Sequence, residues 1–161
     1  MDIPLNAVGV AQAHAAAATF RGHDIRSIVS SPLSRARDTA KAVAQVLGLQ
    51  VETEDALREV SFGAQEGQPM QDGSWFEDWI SGKLTPEDGE SFLELRARAV
   101  QGITRALTRQ GPVLVVAHGA LFRALRAEMG LEGNIRTPNA LPLFCEPGEP
   151  WTLTAGLEPA A

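Results

Sequence analysis

The sequence predicts an α/β fold with a mostly parallel sheet, because short β-branched runs alternate with longer helical segments along the chain. The composition agrees with a globular protein of this class, since 44% of the 161 residues are hydrophobic and 21% are charged. No internal repeat, low-complexity tract or linker divides the chain. We therefore expect a single domain over residues 1–161.

The first half of the chain predicts two helices and two short strands. Asn6 is a good N-cap for the Ala-rich segment 7–20, which favours helix by propensity. Residues 27–30 form a β-branched run that is typical of a buried strand. An amphipathic helix follows and ends at Gly48, after which residues 49–51 predict a second strand.

The middle of the chain differs in composition from its surroundings. Residues 55–89 are rich in Gly, Gln, Asp and Trp, and they predict a loop-rich insertion with one helix over 75–80. Such excursions often cover an active site. A capping box formed by Ser91 and Glu94 then begins a long amphipathic helix that runs to about Arg109.

The last third of the chain predicts one further strand, one helix and a hairpin. Residues 113–117 are the most continuous apolar run in the sequence, so we expect a strand that is buried on both faces. A helix over residues 120–129 follows directly. Residues 140–145 and 151–154 are separated by a Pro/Gly turn and predict a β-hairpin.

Charge and cysteine content narrow the class of function. The net charge of −6 argues against nonspecific nucleic-acid binding, which requires a basic face. No run of roughly 18 apolar residues predicts a membrane span, and the first residues have no signal-peptide pattern. Cys145 is the only cysteine, so no internal disulfide can form. We expect a cytoplasmic protein without nucleic-acid or membrane partners.

Candidate site residues follow the predicted strands, where ligands bind in open α/β sheets. Arg35 lies shortly after the first strand, and His118 and Gly119 follow the apolar strand at the start of a helix. Glu59, in the loop-rich middle of the chain, is placed to bring a carboxylate to the same ends of the strands. Together these residue types suit phosphate chemistry, since arginine binds phosphate oxygens and a glutamate transfers protons.

Each candidate also has an ordinary structural interpretation. His118 alone is consistent with a histidine held by hydrogen bonds at a strand end, Arg35 with a solvated helix charge, and Glu59 with a surface residue. We assign no role to His14, on the Ala-rich helix, or to His23, in a turn. Three aromatic side chains either line a pocket or pack the insertion onto the domain: Trp75, Phe76 and Trp79.

Five motifs stand in order along the chain: DIPLNAVGVAQA over 2–13, SSPLSRARDTA over 30–40, LREVSFGAQEG over 57–67, DGESFLELRARAV over 88–100 and VVAHGALFRAL over 115–125. They resemble the motifs of the histidine phosphatase superfamily, in its phosphoglycerate mutase-like branch. In the first motif, Asn6 replaces the family's threonine.

The resemblance implies a three-layer sandwich and a reaction without metal or cofactor, in which a histidine is phosphorylated and then dephosphorylated by water. By the matching motifs, Arg35 and His118 bind the transferring phosphate, and Glu59 donates a proton to the leaving oxygen. Gly119 allows close approach of the backbone beside His118. The substrate would be a small phosphorylated molecule.

The family's first motif, Arg-His-Gly, carries the nucleophilic histidine at the end of a central strand, and the sequence begins downstream of it. Neither His14 nor His23 matches that position. We therefore expect a natural protein that starts upstream of Met1. We also expect no significant phosphatase activity from the chain as given, and open strand edges that favour a homodimer or a strand-exchanged oligomer.

Three functions stay open on the sequence. A phosphatase is favoured over a mutase because the insertion over 67–88 is short for an enclosure that keeps water out. A mutase-type transferase is the second. The third is a non-catalytic relative that binds a phosphorylated ligand through Arg35 and His118.

Overall fold

The structure is a computed structural model that describes residues 1–68 and 74–156. Helices and strands alternate through most of this part of the chain. The elements in order are α1 (Ala7–Thr19), β1 (Ser27–Ser30), α2 (Ser34–Leu47), β2 (Val51–Thr53), α3 (Ser74–Ile80), α4 (Phe92–Ala106), β3 (Val113–Val116), α5 (Gly119–Glu128), β4 (Leu143–Glu146) and β5 (Thr152–Ala155).

The main sheet contains three parallel strands in the order β2-β1-β3. Its register pairs Ile28 with Val51 on one side and with Leu114 on the other. The C-terminal hairpin forms a separate antiparallel sheet, β4-β5. The observed parallel sheet flanked by helices confirms the predicted fold class.

Helices cover both faces of the parallel sheet, and each face has its own hydrophobic core. Ile28 faces a core with α1 and α2, where the buried side chains are mostly alanines. Val29 points to the opposite face, where Leu95 of α4 and Leu121 of α5 are fully buried. Alternation of side chains along β1 thus produces the three layers.

Local signals explain where the helices begin and end. The Asn6 side chain accepts a hydrogen bond of 2.8 Å from Gly9 N, as an N-cap does. Ser91 and Glu94 form the predicted capping box at the start of α4. Gly48 ends α2 with a φ of 69°, a conformation that glycine adopts without strain.

Several predictions about the strands and helices were wrong in detail. The first strand of the hairpin, β4, begins at Leu143 and not at residue 140. The second strand, β2, begins at Val51 and not at residue 49. Helix α4 ends at Ala106, three residues before the predicted end, where the chain changes to a turn. Strand β3 is only half-buried along its whole length, because no described strand pairs with its outer edge.

The insertion is held to the domain by aromatic packing. Trp79 is 1% exposed, and its ring contacts Phe62, Phe76 and Phe92 at centroid distances of 4.9, 5.4 and 5.2 Å. Its indole Nε1 donates a hydrogen bond of 2.8 Å to the carbonyl of Glu90. Burial of this kind favours the packing interpretation of Trp79 over the pocket-lining one.

Candidate active site

The candidate site lies at the carboxyl ends of β1 and β3. The two strands end side by side, since Ser31 N donates a hydrogen bond of 2.9 Å to the carbonyl of Val116. The residues that follow β1 and β3 therefore lie close together at the carboxyl ends of these strands. Arg35 lies in the first turn of α2, and His118 is the N-cap residue of α5.

The imidazole of His118 points toward the residue that follows β1, and not toward its own helix α5. Its Nε2 lies 2.7 Å from the hydroxyl oxygen of Ser31, which is completely buried. The side chain makes no capping hydrogen bond to α5. Ser31 stands in the motif over 30–40, but no sequence pattern predicts this contact.

His118 is neutral in the folded protein at physiological pH. Burial is the largest cause that lowers the pKa of His118 from 6.5 to about 3, and the nearby charges of Arg35 and Arg98 lower this pKa further. The carboxylate of Asp2 opposes them in part. The site therefore presents a neutral imidazole beside two cationic guanidinium groups.

Glu59 supplies the N-terminal cap that His118 does not. Its carboxylate accepts hydrogen bonds from the backbone N–H groups of Ala120 and Leu121, each at 3.1 Å, and from Val60 at 3.0 Å. The first N–H groups of a helix have no partner within the helix, and the helix dipole attracts a negative charge there. Glu59 is thereby held next to His118.

Arg98 holds the segment on which Glu59 lies. Its guanidinium forms a bidentate ion pair with the carboxylate of Glu90, with both N···O distances at 2.8 Å. The remaining nitrogen, Nη1, donates to the carbonyls of Ala56 at 3.0 Å and Arg58 at 2.7 Å. Arg98 was missed as a site residue, although it stands with Glu90 in the motif over 88–100, which was the available signal.

Asp2 orders the opposite side of the site. Its carboxylate accepts hydrogen bonds from the backbone N–H of Ser34 at 2.8 Å and from the Ser34 hydroxyl at 2.7 Å. These bonds lower the pKa of Asp2, so the carboxylate stays charged. Arg35 donates to the carbonyl of Met1 at 3.4 Å, which keeps its guanidinium over the same edge.

The structure places Arg35, Glu59 and His118 near one another at the carboxyl ends of β1 and β3. Gly119 is exposed, and a Cβ at this position would meet nothing within 4 Å. The protein itself therefore imposes no steric need for this glycine. His14 lies exposed on α1, and His23 precedes β1, at the opposite end of the strands.

No group of three or more His, Cys, Asp or Glu side chains within residues 1–68 and 74–156 is arranged to hold a metal ion. A shallow cavity of about 480 Å³ lies between the C-terminal end of α2 and the start of β2. It is at the other end of the parallel strands from His118 and includes no residue of the candidate site. None of the described helices has the length and apolar character that spanning a membrane requires.

Comparison with known sequences identifies the family. The model of the histidine phosphatase superfamily (branch 1) matches residues 1–141. The probable phosphoglycerate mutase GpmB of Yersinia enterocolitica is 38% identical over 141 residues, which covers 81% of this chain and 65% of the relative. The corresponding protein of Yersinia pestis is 35% identical with the same coverage.

Solved structures show the same fold. A mycobacterial glucosyl-3-phosphoglycerate phosphatase superposes with a TM-score of 0.67 at 31% identity, covering 80% of this chain and 68% of that one. The structure called mycobacterial hydrolase 1 superposes with a TM-score of 0.77 at 28% identity, covering 99% of this chain and 89% of that one.

The chain belongs to the histidine phosphatase superfamily, which confirms the resemblance of its five motifs. It spans 65% of the length of the curated relatives it matches. The names of the relatives and structural neighbours include both mutases and phosphatases.

Proposed function

We propose that this chain carries the phosphate-binding and proton-donating residues of a phosphomonoester hydrolase that acts through a phosphohistidine. The observation that supports this most is the meeting of Arg35, Glu59 and His118 at one sheet edge, with a neutral imidazole beside a guanidinium. Arg35 binds the phosphate oxygens and stabilises the charge that builds up on them. His118 donates a hydrogen bond to the same group.

In the proposed reaction, a histidine nitrogen forms a bond to phosphorus while the bond from phosphorus to the ester oxygen breaks. For this step Glu59 takes up a proton, which it gives to the departing alcohol, since an alkoxide is a poor leaving group. The resulting carboxylate then takes a proton from the water that attacks next. Water then attacks the phosphohistidine, releasing inorganic phosphate and the free histidine. No metal takes part in this scheme, because fixed hydrogen-bond donors neutralise the phosphate.

We infer that none of this chain's histidines is the attacking one. Of the chain's three histidines, His118 binds Ser31, and the other two, His14 and His23, lie away from the sheet edge. We therefore propose that the 161-residue polypeptide binds phosphate but does not hydrolyse phosphate esters.

The test measures binding and turnover on the same preparation. Inorganic phosphate is titrated by calorimetry, and p-nitrophenyl phosphate hydrolysis is followed by absorbance. We expect saturable phosphate binding that His118→Ala weakens, together with no hydrolysis above the rate without protein. Hydrolysis that disappears in His118→Ala would show that the polypeptide is active as it stands. Absence of phosphate binding would remove the proposed site.

A mutase-type transferase is the second candidate. The probable mutases among the curated relatives favour it. The shortness of the insertion over 67–88 favours a hydrolase, because a mutase needs an enclosure that keeps water out. A non-catalytic phosphate-binding protein is the third candidate, and it has no need of an acid at Glu59.

We further propose that the polypeptide forms a homodimer or a strand-exchanged oligomer through the outer edge of β3. The half-buried apolar strand Val113–Val116 has no described partner on that side. Unpaired edges of this kind pair readily with another chain.

We also propose a cytoplasmic location, because the single thiol of the protein, Cys145, forms no internal disulfide. Fractionation of the producing cells tests this, and recovery outside the cytoplasm would contradict it.

A further inference from the structure

Ser31 has an unusual position for a hydroxyl group. It is 0% exposed, directly after β1, and its oxygen has two hydrogen-bonding neighbours. The backbone N–H of Leu33 donates to it at 3.2 Å, and Nε2 of His118 lies 2.7 Å away. The neighbouring hydroxyl, that of Ser30, donates to the carbonyl of Ser31 and takes no part in this arrangement.

The number of hydrogens decides the direction of the bond between Ser31 and His118. A hydroxyl has one hydrogen to donate and two lone pairs that accept. If Nε2 of His118 carried a proton and donated it, the Ser31 hydrogen would be buried without an acceptor among the described residues. Leaving a buried donor without an acceptor is unfavourable. If Ser31 donates to Nε2, the Ser31 hydrogen has an acceptor, and the proton of the neutral ring lies on Nδ1.

We propose that Ser31 is a positioning residue that holds His118 in the tautomer protonated on Nδ1. The Nδ1–H is then the hydrogen-bond donor that His118 offers to a bound phosphate, and this half of the proposal rests on the proposed function. Neutral imidazole exists in two tautomers, and the partner of one ring nitrogen decides which one is populated. Arg35 supplies the positive charge that the neutral ring lacks.

The same arrangement removes His118 as a nucleophile. In this tautomer the lone pair of Nε2 accepts the Ser31 hydrogen, and Nδ1 carries a proton. Neither nitrogen has a free lone pair with which to attack phosphorus. Ser31 thus makes His118 a phosphate ligand, so that a phosphohistidine has to form on another residue.

Nitrogen-15 NMR of the histidine-labelled polypeptide tests the tautomer directly, since protonated and unprotonated ring nitrogens have well-separated chemical shifts. The signals of His118 are identified by their loss in His118→Asn. We expect an unprotonated Nε2 and a protonated Nδ1 in the wild type at neutral pH. Ser31→Ala is expected to convert this single state to a mixture, while Ser30→Ala, which removes a neighbouring buried hydroxyl, leaves it unchanged.

Titration with inorganic phosphate then tests the functional half. We expect the Nδ1 signal of His118 to move on binding and the affinity to fall roughly tenfold in Ser31→Ala. A protonated Nε2 in the wild type overturns the proposal, even if Ser31→Ala does not fold. An unchanged tautomer in folded Ser31→Ala overturns it too. An Nδ1–H tautomer without phosphate binding contradicts the proposed function but leaves the positioning by Ser31 intact.

Discussion

The carboxylate of Glu59 accepts a hydrogen bond of 3.1 Å from the backbone N–H of Leu121, sixty-two residues further along the chain. This bond joins the middle segment to the first turn of α5, one turn from His118. The residue that the family motif assigns to proton donation is therefore also a helix cap. Its removal has a structural effect that can be measured independently of any activity.

Glu59→Ala is expected to lower the free energy of unfolding by about 1–2 kcal/mol, because α5 loses its cap and the favourable charge at its N terminus. Glu59→Gln keeps one oxygen acceptor and is expected to lose less. Urea denaturation measures both. Asp55→Ala, which removes an exposed carboxylate nearby, serves as the control. An equal, small effect of all three substitutions would show that Glu59 does not cap α5.

Arg35→Ala is expected to weaken the binding of inorganic phosphate by about ten- to a hundredfold, the effect of losing a charge-assisted hydrogen bond worth about 1.5–3 kcal/mol. Arg37, two residues along the same helix, is exposed and provides the matched control. Calorimetric titration of both variants distinguishes a specific phosphate ligand from a general loss of positive charge. Equal weakening by Arg37→Ala would contradict the assignment of Arg35.

Acidification is expected to destabilise the protein through His118. Its pKa is about 3 in the folded state and 6.5 ordinarily, so between these values the unfolded chain binds a proton that the folded protein does not. The stability present above pH 6.5 is therefore lost as the pH falls toward 3. Between pH 6.5 and 5, where few carboxylates titrate, the loss from this group is roughly 1–2 kcal/mol.

Urea denaturation at a series of pH values checks this prediction. His118→Asn is expected to flatten the dependence between pH 6.5 and 5, whereas His14→Asn, which changes an exposed histidine, keeps the slope of the wild type. If the slope of His118→Asn equals that of the wild type, the proton uptake belongs to another group.

The outer edge of β3 predicts self-association. The carbonyl of Val116 accepts from Ser31 N, so the backbone groups of residues 114 and 116 face β1 and those of Val113 and Val115 face outward. Val115→Pro removes an outward donor without breaking a bond to β1. We expect a dimer or larger species by sedimentation that this substitution converts to monomer. A monomeric wild type would contradict the prediction.

Gly63 is expected to be among the positions least tolerant of substitution. Its φ is 52°, and a Cβ there would lie 2.1 Å from the carbonyl oxygen of Glu87. Gly67 has a φ of 78° but open space around it, so Gly67→Ala measures the backbone strain alone. Thermal unfolding is expected to show a much larger loss for Gly63→Ala than for Gly67→Ala, whose cost is about 1–2 kcal/mol. Similar losses would mean that the loop moves aside.

Local signals made the helices predictable. The Asn6 cap, the Ser91 capping box and Gly48 each act on backbone groups within a few residues, so the sequence around them contains all the information required. The exposure of β3 was not predictable in this way. Its apolar residues are typical of a central strand, whereas the number of neighbouring strands depends on the rest of the sheet.

Arg35, Glu59 and His118 could be selected from the sequence alone, because they follow predicted strands or stand in motifs that resemble those of the family. What each side chain touches was decided only by the tertiary structure. Ser31 and His118 are 87 residues apart, and Arg98 reaches the carbonyl of Ala56 across 42 residues. Such contacts depend on how parallel strands and their helices are placed in space, and hydrogen bonds between distant residues leave no periodic trace along the chain.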